Sequence, residues 1–258
     1  MGFASLGSGS KGNGTLVALA DQVVLVDCGF TLRQTERRLS ALGVGPGDIA
    51  AILVSHEHAD HISGVTPLSH KYTIPVYASY GTLKKIPDAR FAHPFDGDEL
   101  FAIDGISVNP VRVPHDAREP TQFVLGDGVE TVGVLSDLGC VTSHVIEQFK
   151  ACTHLLMEAN HDRQMLLQGS YPPHLKRRVG ADHGHLSNDQ ALSLLEAIAH
   201  DQLHVVIGHV SEQNNCMERL RGTFAHMTEA VAKLDFATQQ QGFEWIGTQP
   251  IRRQSSFA

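Results

Sequence analysis

The stretch Ser55-His56-Glu57-His58-Ala59-Asp60-His61 follows directly on the apolar run Ala50-Ala51-Ile52-Leu53-Val54. Three imidazoles and two carboxylates within seven residues, at the end of a run with strand character, point to metal ligation. His56 and His58 lie two apart in what reads as a non-helical turn, so both rings can reach one ion. Asp60 and His61 then point toward a neighbouring position as the next helix begins. Imidazole and carboxylate suit zinc, manganese or iron, whereas a structural zinc would be expected to use thiolates.

Working outward, the same arrangement recurs along the chain. QVVLV runs into Asp27, SVNPVRVP into His115, VETVGVLS into Asp137, THLLM into Glu158 and LHVVIG into His209. Together with the run before His56, six strand-like segments end in an acid or a histidine. In layered α/β proteins, sites gather at the carboxyl ends of strands, where loops from distant parts of the sequence converge. Six such residues at equivalent places predict one shared site.

Strand-like and helical patterns alternate throughout, which predicts an α/β architecture. Strands are expected near 15–19, 22–27, 50–54, 74–78, 98–103, 106–113, 121–125, 129–136, 153–158 and 203–208, and helices over 31–42, 60–69, 142–150, 187–200 and 214–235. The helix from Ser187 is the best marked, because Ser187 and Gln190 form a capping box ahead of Ala191, Leu192, Leu195 and Ile198. The segment 169–184, GSYPPHLKRRVGADHG, reads as an extended loop. No repeat or long linker divides the chain, so one domain over 1–258 is expected.

Hydrophobic residues at 42% and charged residues at 19% describe an ordinary globular protein. No run approaches the roughly 18 to 20 apolar residues of a membrane span, and no basic-then-apolar leader opens the sequence, so a cytoplasmic protein without membrane attachment is expected. Cys28, Cys140, Cys152 and Cys216 stand singly without a CxxC pair; three adjoin apolar stretches and read as free, buried thiols. A net charge of −8 excludes indiscriminate attraction to nucleic acid but not a locally cationic site. Of the 16 histidines, His70, His93, His144, His200 and His226 stand alone and read as structural. Gly7, Gly9 and Gly12 spell GSGSKG, a dinucleotide-loop pattern, but TLVALADQVVLVD follows with hairpin character. Without a helix after it, the loop has no phosphate-binding N-terminus to offer.

The HxHxDH motif formed by His56, His58, Asp60 and His61, with Asp27 before it and His115, Asp137 and His209 after it, resembles the metallo-β-lactamase fold superfamily. That resemblance implies an αββα sandwich with a site for two divalent ions, zinc or manganese with iron as a further option. It implies His56, His58 and His115 on one ion, Asp60, His61 and His209 on the other, and Asp137 bridging. Asp27 would support the ligands or simply form a turn before Cys28-Gly29. A water shared by two such ions can ionise near neutral pH and attack a phosphodiester, thioester or lactam.

Lactamases of the main dinuclear type carry a Cys where this chain has Asp137 and are exported. Glu158 and His185, in LMEANHD and DHGHLSN, resemble the Glu–His dyad of tRNA-processing phosphodiesterases, which implies a proton donor for the departing oxygen; the plain alternative is a helix-entry histidine. GSGSKGN, LMEANHD, YPPHLKRRV, GHLSN and HVSEQNN together resemble the YycJ/WalJ-like branch, implying a cytoplasmic exonuclease that acts on DNA from the 5′ end. The short spacings from Asp137 to Glu158 and to His209 leave no room for an inserted lobe. In such an enzyme Asp60 would steer the attacking water, and Lys176, Arg177 and Arg178 could neutralise strand phosphates or lie merely solvated. Ser211 is a further polar neighbour of His209, while Asn214 and Asn215 are candidate caps for the final helix. The competing readings are a thioesterase or cyclic phosphodiesterase, an RNA-directed nuclease, and a non-catalytic binding module.

Overall fold

The computed structural model describes residues 1–249, which form two mixed seven-stranded sheets. The first sheet collects β1 (Gly2–Gly7), β2 (Gly14–Leu19), β3 (Gln22–Val26), β4 (Ile49–Val54), β5 (Val76–Ser79) and β6 (Ala92–Phe95). The second collects β7 (Phe101–Ile103), β8 (Ile106–Arg112), β9 (Thr121–Gly126), β10 (Thr131–Leu135), β11 (His154–Glu158), β12 (His204–Gly208) and β13 (Lys233–Phe236). The chain then returns to the first sheet, where β14 (Phe243–Gly247) pairs antiparallel with β1. The orders are β14-β1-β2-β3-β4-β5-β6 and β13-β12-β11-β10-β9-β8-β7. Strands β3 to β6 run parallel, as do β10 to β13, and these are the strands whose carboxyl ends carry most of the site.

Both faces of each sheet are covered, which is why the strands read as unbroken apolar runs. Val24 and Val26 of β3, and Ala51 and Leu53 of β4, face the second sheet and meet Phe123, Val134, Leu156 and Val206. Their neighbours Leu25, Ile52 and Val54 face outward, against Leu39 of α1 (Leu32–Ala41) and Val65 and Leu68 beyond the short α2 (Ala59–Ile62), in α3 (Val65–Tyr72). A further short helix, α4 (Tyr80–Leu83), follows β5. On the other side, Leu155, Met157, Val205 and Ile207 pack against α5 (Ser143–Phe149). After α6 (Arg163–Gln168) and α7 (Pro173–Val179), the same layer is completed by α8 (Asn188–Ile198) and α9 (Met217–Phe224). The resulting helix–sheet–sheet–helix layering is the expected sandwich.

Several expected elements differ. The helix expected over 60–69 is two helices, broken at Gly64, whose N–H donates to the Cys28 carbonyl. The loop expected over 169–184 contains α7, opened by Pro172-Pro173; proline is accommodated in a first turn, where its missing N–H costs nothing. The helix expected over 214–235 ends at Phe224, and after a 3₁₀ turn the chain leaves as β13, because an open edge of β12 is there to pair with. Strands β1, β6, β13 and β14 were not expected; β6 and β13 are edge strands with polar or half-exposed residues and carry a weak periodic signal. Asn214 and Asn215 do not cap α9: Asn215 donates to the Ala159 and Asn160 carbonyls and pairs with Asn188, tying the β12 loop to the β11 loop. Of the cysteines, Cys28 and Cys152 are buried, with burial pushing both thiols up to about 12. Cys140 is half-buried and Cys216 exposed, so fewer are interior than expected. No helix of the described residues is long and apolar enough to cross a membrane.

Candidate metal centre and catalytic pocket

The strand ends converge as the sequence pattern predicts. Asp27 leaves β3, Ser55 to His61 leave β4, His115 follows β8, Asp137 follows β10, Glu158 closes β11 and His209 follows β12. Asp27, Asp137 and His209 each take a left-handed backbone, with φ of 61°, 54° and 49°. Non-glycine residues enter that region at a cost, and its appearance at three strand ends marks turns held by their surroundings to aim particular side chains inward.

His56, His61 and His115 each present one ring nitrogen to the centre and spend the other on a support. His56 Nε2 lies 2.9 Å from His58 Nδ1, which lies 3.3 Å from His115 Nε2. Behind them, His56 Nδ1 meets Ser55 Oγ at 3.0 Å, and His115 Nδ1 lies 2.9 Å from the Gly184 carbonyl. His61 Nδ1 rests on Asp27 Oδ2 at 2.8 Å, while Asp27 Oδ1 accepts the Ser55 N–H at 2.8 Å. Asp27 is therefore a support for a ring as well as a turn former. His61 Nε2 faces Asp137 Oδ2 at 3.0 Å and Asp60 Oδ2 at 3.6 Å. Asp137 reaches both groups: Oδ2 lies 3.0 Å from His209 Nδ1 and Oδ1 lies 4.0 Å from His115 Nε2.

This donor set fits divalent metal ions. His56, His58 and His115 bring one ligand atom each within 4.8 Å of one another, and so do His56, His61 and Asp137. Asp137 Oδ2 and His209 Nδ1 are buried and make no hydrogen bond, although they approach each other closely. Converging lone pairs that are close but misaligned for hydrogen bonding are what a cation between them would need.

Electrostatics point the same way. Burial, followed by the neighbouring His61, pushes His56 well down, and burial pushes His115 down, so both rings are neutral, the form that ligates. Asp27, Asp137 and Glu158 are almost fully buried and need positive charge beside them. Burial opposes charge on Asp137, but His209 and His61 overcome it and hold the carboxyl well below its usual range. Reciprocally, Asp137 and Asp27 raise His61 well above the usual range, and Asp137 with Glu158 raises His209 to about 10, both against burial. The buried carboxylates here call for positive charge, which metal cations can supply.

Glu158 organises the far side of the centre. Oε1 accepts from the Leu138 and Leu186 N–H groups at 3.1 and 2.8 Å; Oε2 accepts from the Asp137 N–H at 3.2 Å and meets His185 Nδ1 at 3.0 Å. Despite burial, the Glu158 carboxylate raises His185. The sequence reading set this pair outside the ligand group, and the structure brings both within 4.8 Å of Asp137 and His209. His185 borders a cavity of about 360 Å³ together with Ser10, Asp60, Asp116, Tyr171 and Arg178.

The glycine loop is a wall of this site. Gly12 has φ +142°, and a Cβ there would sit 2.5 Å from the Phe30 ring. Ser8 Oγ accepts the His209 N–H at 2.8 Å, and Asn13 Nδ2 lies 3.3 Å from Asp60 Oδ2 and 3.0 Å from His61 Nε2. A strand, β2, follows the loop, as expected. Sequence reasoning missed Asn13, Ser55 and Asp116. Asp116 is 3.4 Å from His115 Nε2 and pairs with Arg178 Nε at 2.5 Å. Its position next to His115 was the one available signal. Lys176 and Arg177 line a different cavity from Arg178 and do not border the cavity beside the imidazole cluster. The solitary histidines lie outside the cluster and meet other partners: His144 pairs with Asp98, His226 with Glu196, and His93 stacks on Tyr77.

Two mixed sheets with buried imidazoles and carboxylates gathered at one edge define a metal-dependent hydrolase. Residues 22–209 match the Beta-lactamase superfamily domain, and the chain belongs to that superfamily in its metallo-β-lactamase fold. Within it, the chain is 32% identical over 234 residues to an exodeoxyribonuclease YycJ of Bacillus anthracis, covering 88% of this chain and 89% of the relative. It is 31% identical to an exodeoxyribonuclease WalJ of Streptococcus pneumoniae, covering 88% and 86%. Among solved structures, the metallo-β-lactamase fold protein YhfI of Bacillus subtilis superposes with a TM-score of 0.73 at 16% identity, over 95% of this chain and 99% of that one.

Proposed function

We propose that the chain is a metal-dependent exodeoxyribonuclease working in the 5′-to-3′ direction as one cytoplasmic catalytic domain. The observation that carries the reading is the Glu158–His185 pair, whose histidine borders the cavity beside the imidazole cluster. Mere binding does not require it. The relatives named exodeoxyribonucleases support DNA as the substrate.

In this reading His56, His58 and His115 would hold one divalent ion and Asp60, His61 and His209 the other, with Asp137 available to both. Zinc and manganese suit these ligands, with iron also compatible. Such ions supply an activated water and charge stabilisation for phosphoryl transfer. The chain's own residues do the rest. Asp60, steadied by Asn13, accepts a hydrogen bond from the attacking water and orients it. His185 uses Nδ1 on Glu158, which leaves Nε2 as the proton donor to the departing 3′-oxygen; a carboxylate-held imidazolium is suited to that step. Arg178, held by Asp116 at the cavity edge, offers a cation to the phosphate.

The test is a time course on 5′-labelled and 3′-labelled single-stranded DNA and a matched RNA, with manganese or zinc and an Asp60→Ala control. Early release of short products from the 5′ label, lost in the variant, is expected. An active metal-loaded protein that hydrolyses thioesters or cyclic phosphodiesters but no oligonucleotide would overturn the DNA reading.

A further inference from the structure

Resting on the nuclease reading, we propose that the groove between α6 and α7 is a second nucleic-acid subsite. It would hold a phosphate and a base of the strand beyond the nucleotide being cleaved.

Charge distribution gives the first reason. The chain carries 28 acidic and 20 basic residues, yet from 163 to 180 it has Arg163, Lys176, Arg177 and Arg178 and no Asp or Glu. Folding divides these cations between two faces. Arg178, with Leu175 and Val179, borders the catalytic cavity; Lys176 and Arg177 border a separate groove of about 700 Å³ on the other side of α7. A strand leaving the catalytic cavity across α7 meets this groove next.

The lining gives the second. Arg163, Lys176 and Arg177 face it, against the single carboxylate of Asp182. Lys176 Nζ donates to the Leu167 carbonyl at 2.6 Å, and Arg163 Nε donates to Ser187 Oγ at 3.1 Å and lies 3.7 Å from Asp189. Arg177 makes no ion pair among the described residues. Leu167, also in the lining, is 71% exposed and offers apolar surface beside these cations. His161 borders the groove from beneath at 2% exposure, and its Nδ1 has no hydrogen-bond partner among the described residues. Cations beside exposed apolar surface match a nucleotide, whose phosphate takes the charge while its base covers the leucine.

The experiment measures binding of a 3′-labelled, phosphorothioate-linked 12-nucleotide single strand to the metal-loaded protein by fluorescence anisotropy over a range of salt. Arg177→Glu is expected to raise Kd about tenfold and to flatten the dependence of log K on log salt by about one contact. Arg177→Lys should keep most of the affinity. Lys233→Glu, at the opposite end of the second sheet, controls for net charge and should bind as the parent does. Thermal melts verify that each variant is folded. Equal binding by Arg177→Glu and Lys233→Glu would overturn the groove. If the parent binds but cleaves no DNA, the nuclease reading falls while the Arg177 comparison still decides the groove; a parent that neither binds nor cleaves removes both.

Discussion

Replacing Glu158 by Gln tests the organisation of the site most sharply, because the change is isosteric and its cost can be worked out bond by bond. Glu158 is 1% exposed and accepts four hydrogen bonds, from the Asp137, Leu138 and Leu186 N–H groups and from His185. A Gln oxygen can keep the Leu138 and Leu186 bonds. Its NH₂ group must then stand where Oε2 was, 3.2 Å from the Asp137 N–H, so donor faces donor. Two charge-assisted bonds are lost at about 1.5–3 kcal/mol each, partly offset because a buried charge disappears, leaving a net cost of about 3 kcal/mol. For a chain of this size that lowers Tm by about 6–12 °C. His185 also loses the carboxylate that keeps it protonated, so turnover on DNA should fall by about 10² to 10⁴. Thermal unfolding and single-turnover cleavage of the metal-loaded variant measure both effects. His185→Ala should lose similar turnover with a much smaller fall in Tm and unchanged metal content, and the double variant should lose little more, since the pair acts as a unit. A Glu158→Gln protein that melts within about 2 °C of the parent and cleaves within about threefold of its rate would refute this account of Glu158.

Other outcomes follow from the same contacts. Asp27→Asn removes the carboxylate beneath His61 Nδ1 and should weaken metal binding by about 10- to 100-fold; equilibrium dialysis at fixed free zinc that gave the parent's occupancy would contradict the support role. Gly29→Ala would put a Cβ 1.7 Å from the Asp60 carbonyl oxygen, so the loop carrying Asp60 must shift. Destabilisation by about 3 kcal/mol with loss of cleavage is expected from urea melts and assays. Chelation should abolish cleavage and lower Tm, both reversed by adding metal back, and a chelator-insensitive enzyme would exclude the proposed chemistry. His154 lies away from the site, and burial, against the pull of Glu130, holds its ring down to about 4 from 6.5. The unfolded chain therefore binds the extra proton, and stability is full above about pH 6.5 and lost as pH falls toward 4; His154→Gln should flatten that loss in urea titrations at stepped pH.

The sequence by itself determined the class of fold and which strand-end residues gather at one edge of it. His56, His58 and His61 are close in the chain, and the other candidates each end a strand-like run, so a shared strand direction within each sheet, with the two sheets packed face to face, brings them to one edge. The Ser187–Gln190 capping box and α8 were legible for the same reason: a helix start is written in adjacent residues. What only the tertiary structure decided depends on partners far apart in sequence. Asn13 beneath Asp60, Asp116 with Arg178, and Gln239 binding the loop at Lys11 and Gly12 join residues 47, 62 and more than 200 positions apart. The segment after Phe224 became a turn and a strand because β12 offers unpaired backbone groups, a demand absent from its own composition. Helix α7 divides its cations between two cavities because Leu175 and Val179 turn Arg178 toward the metal side, and a spacing of one or two residues on a helix places neighbours on different faces.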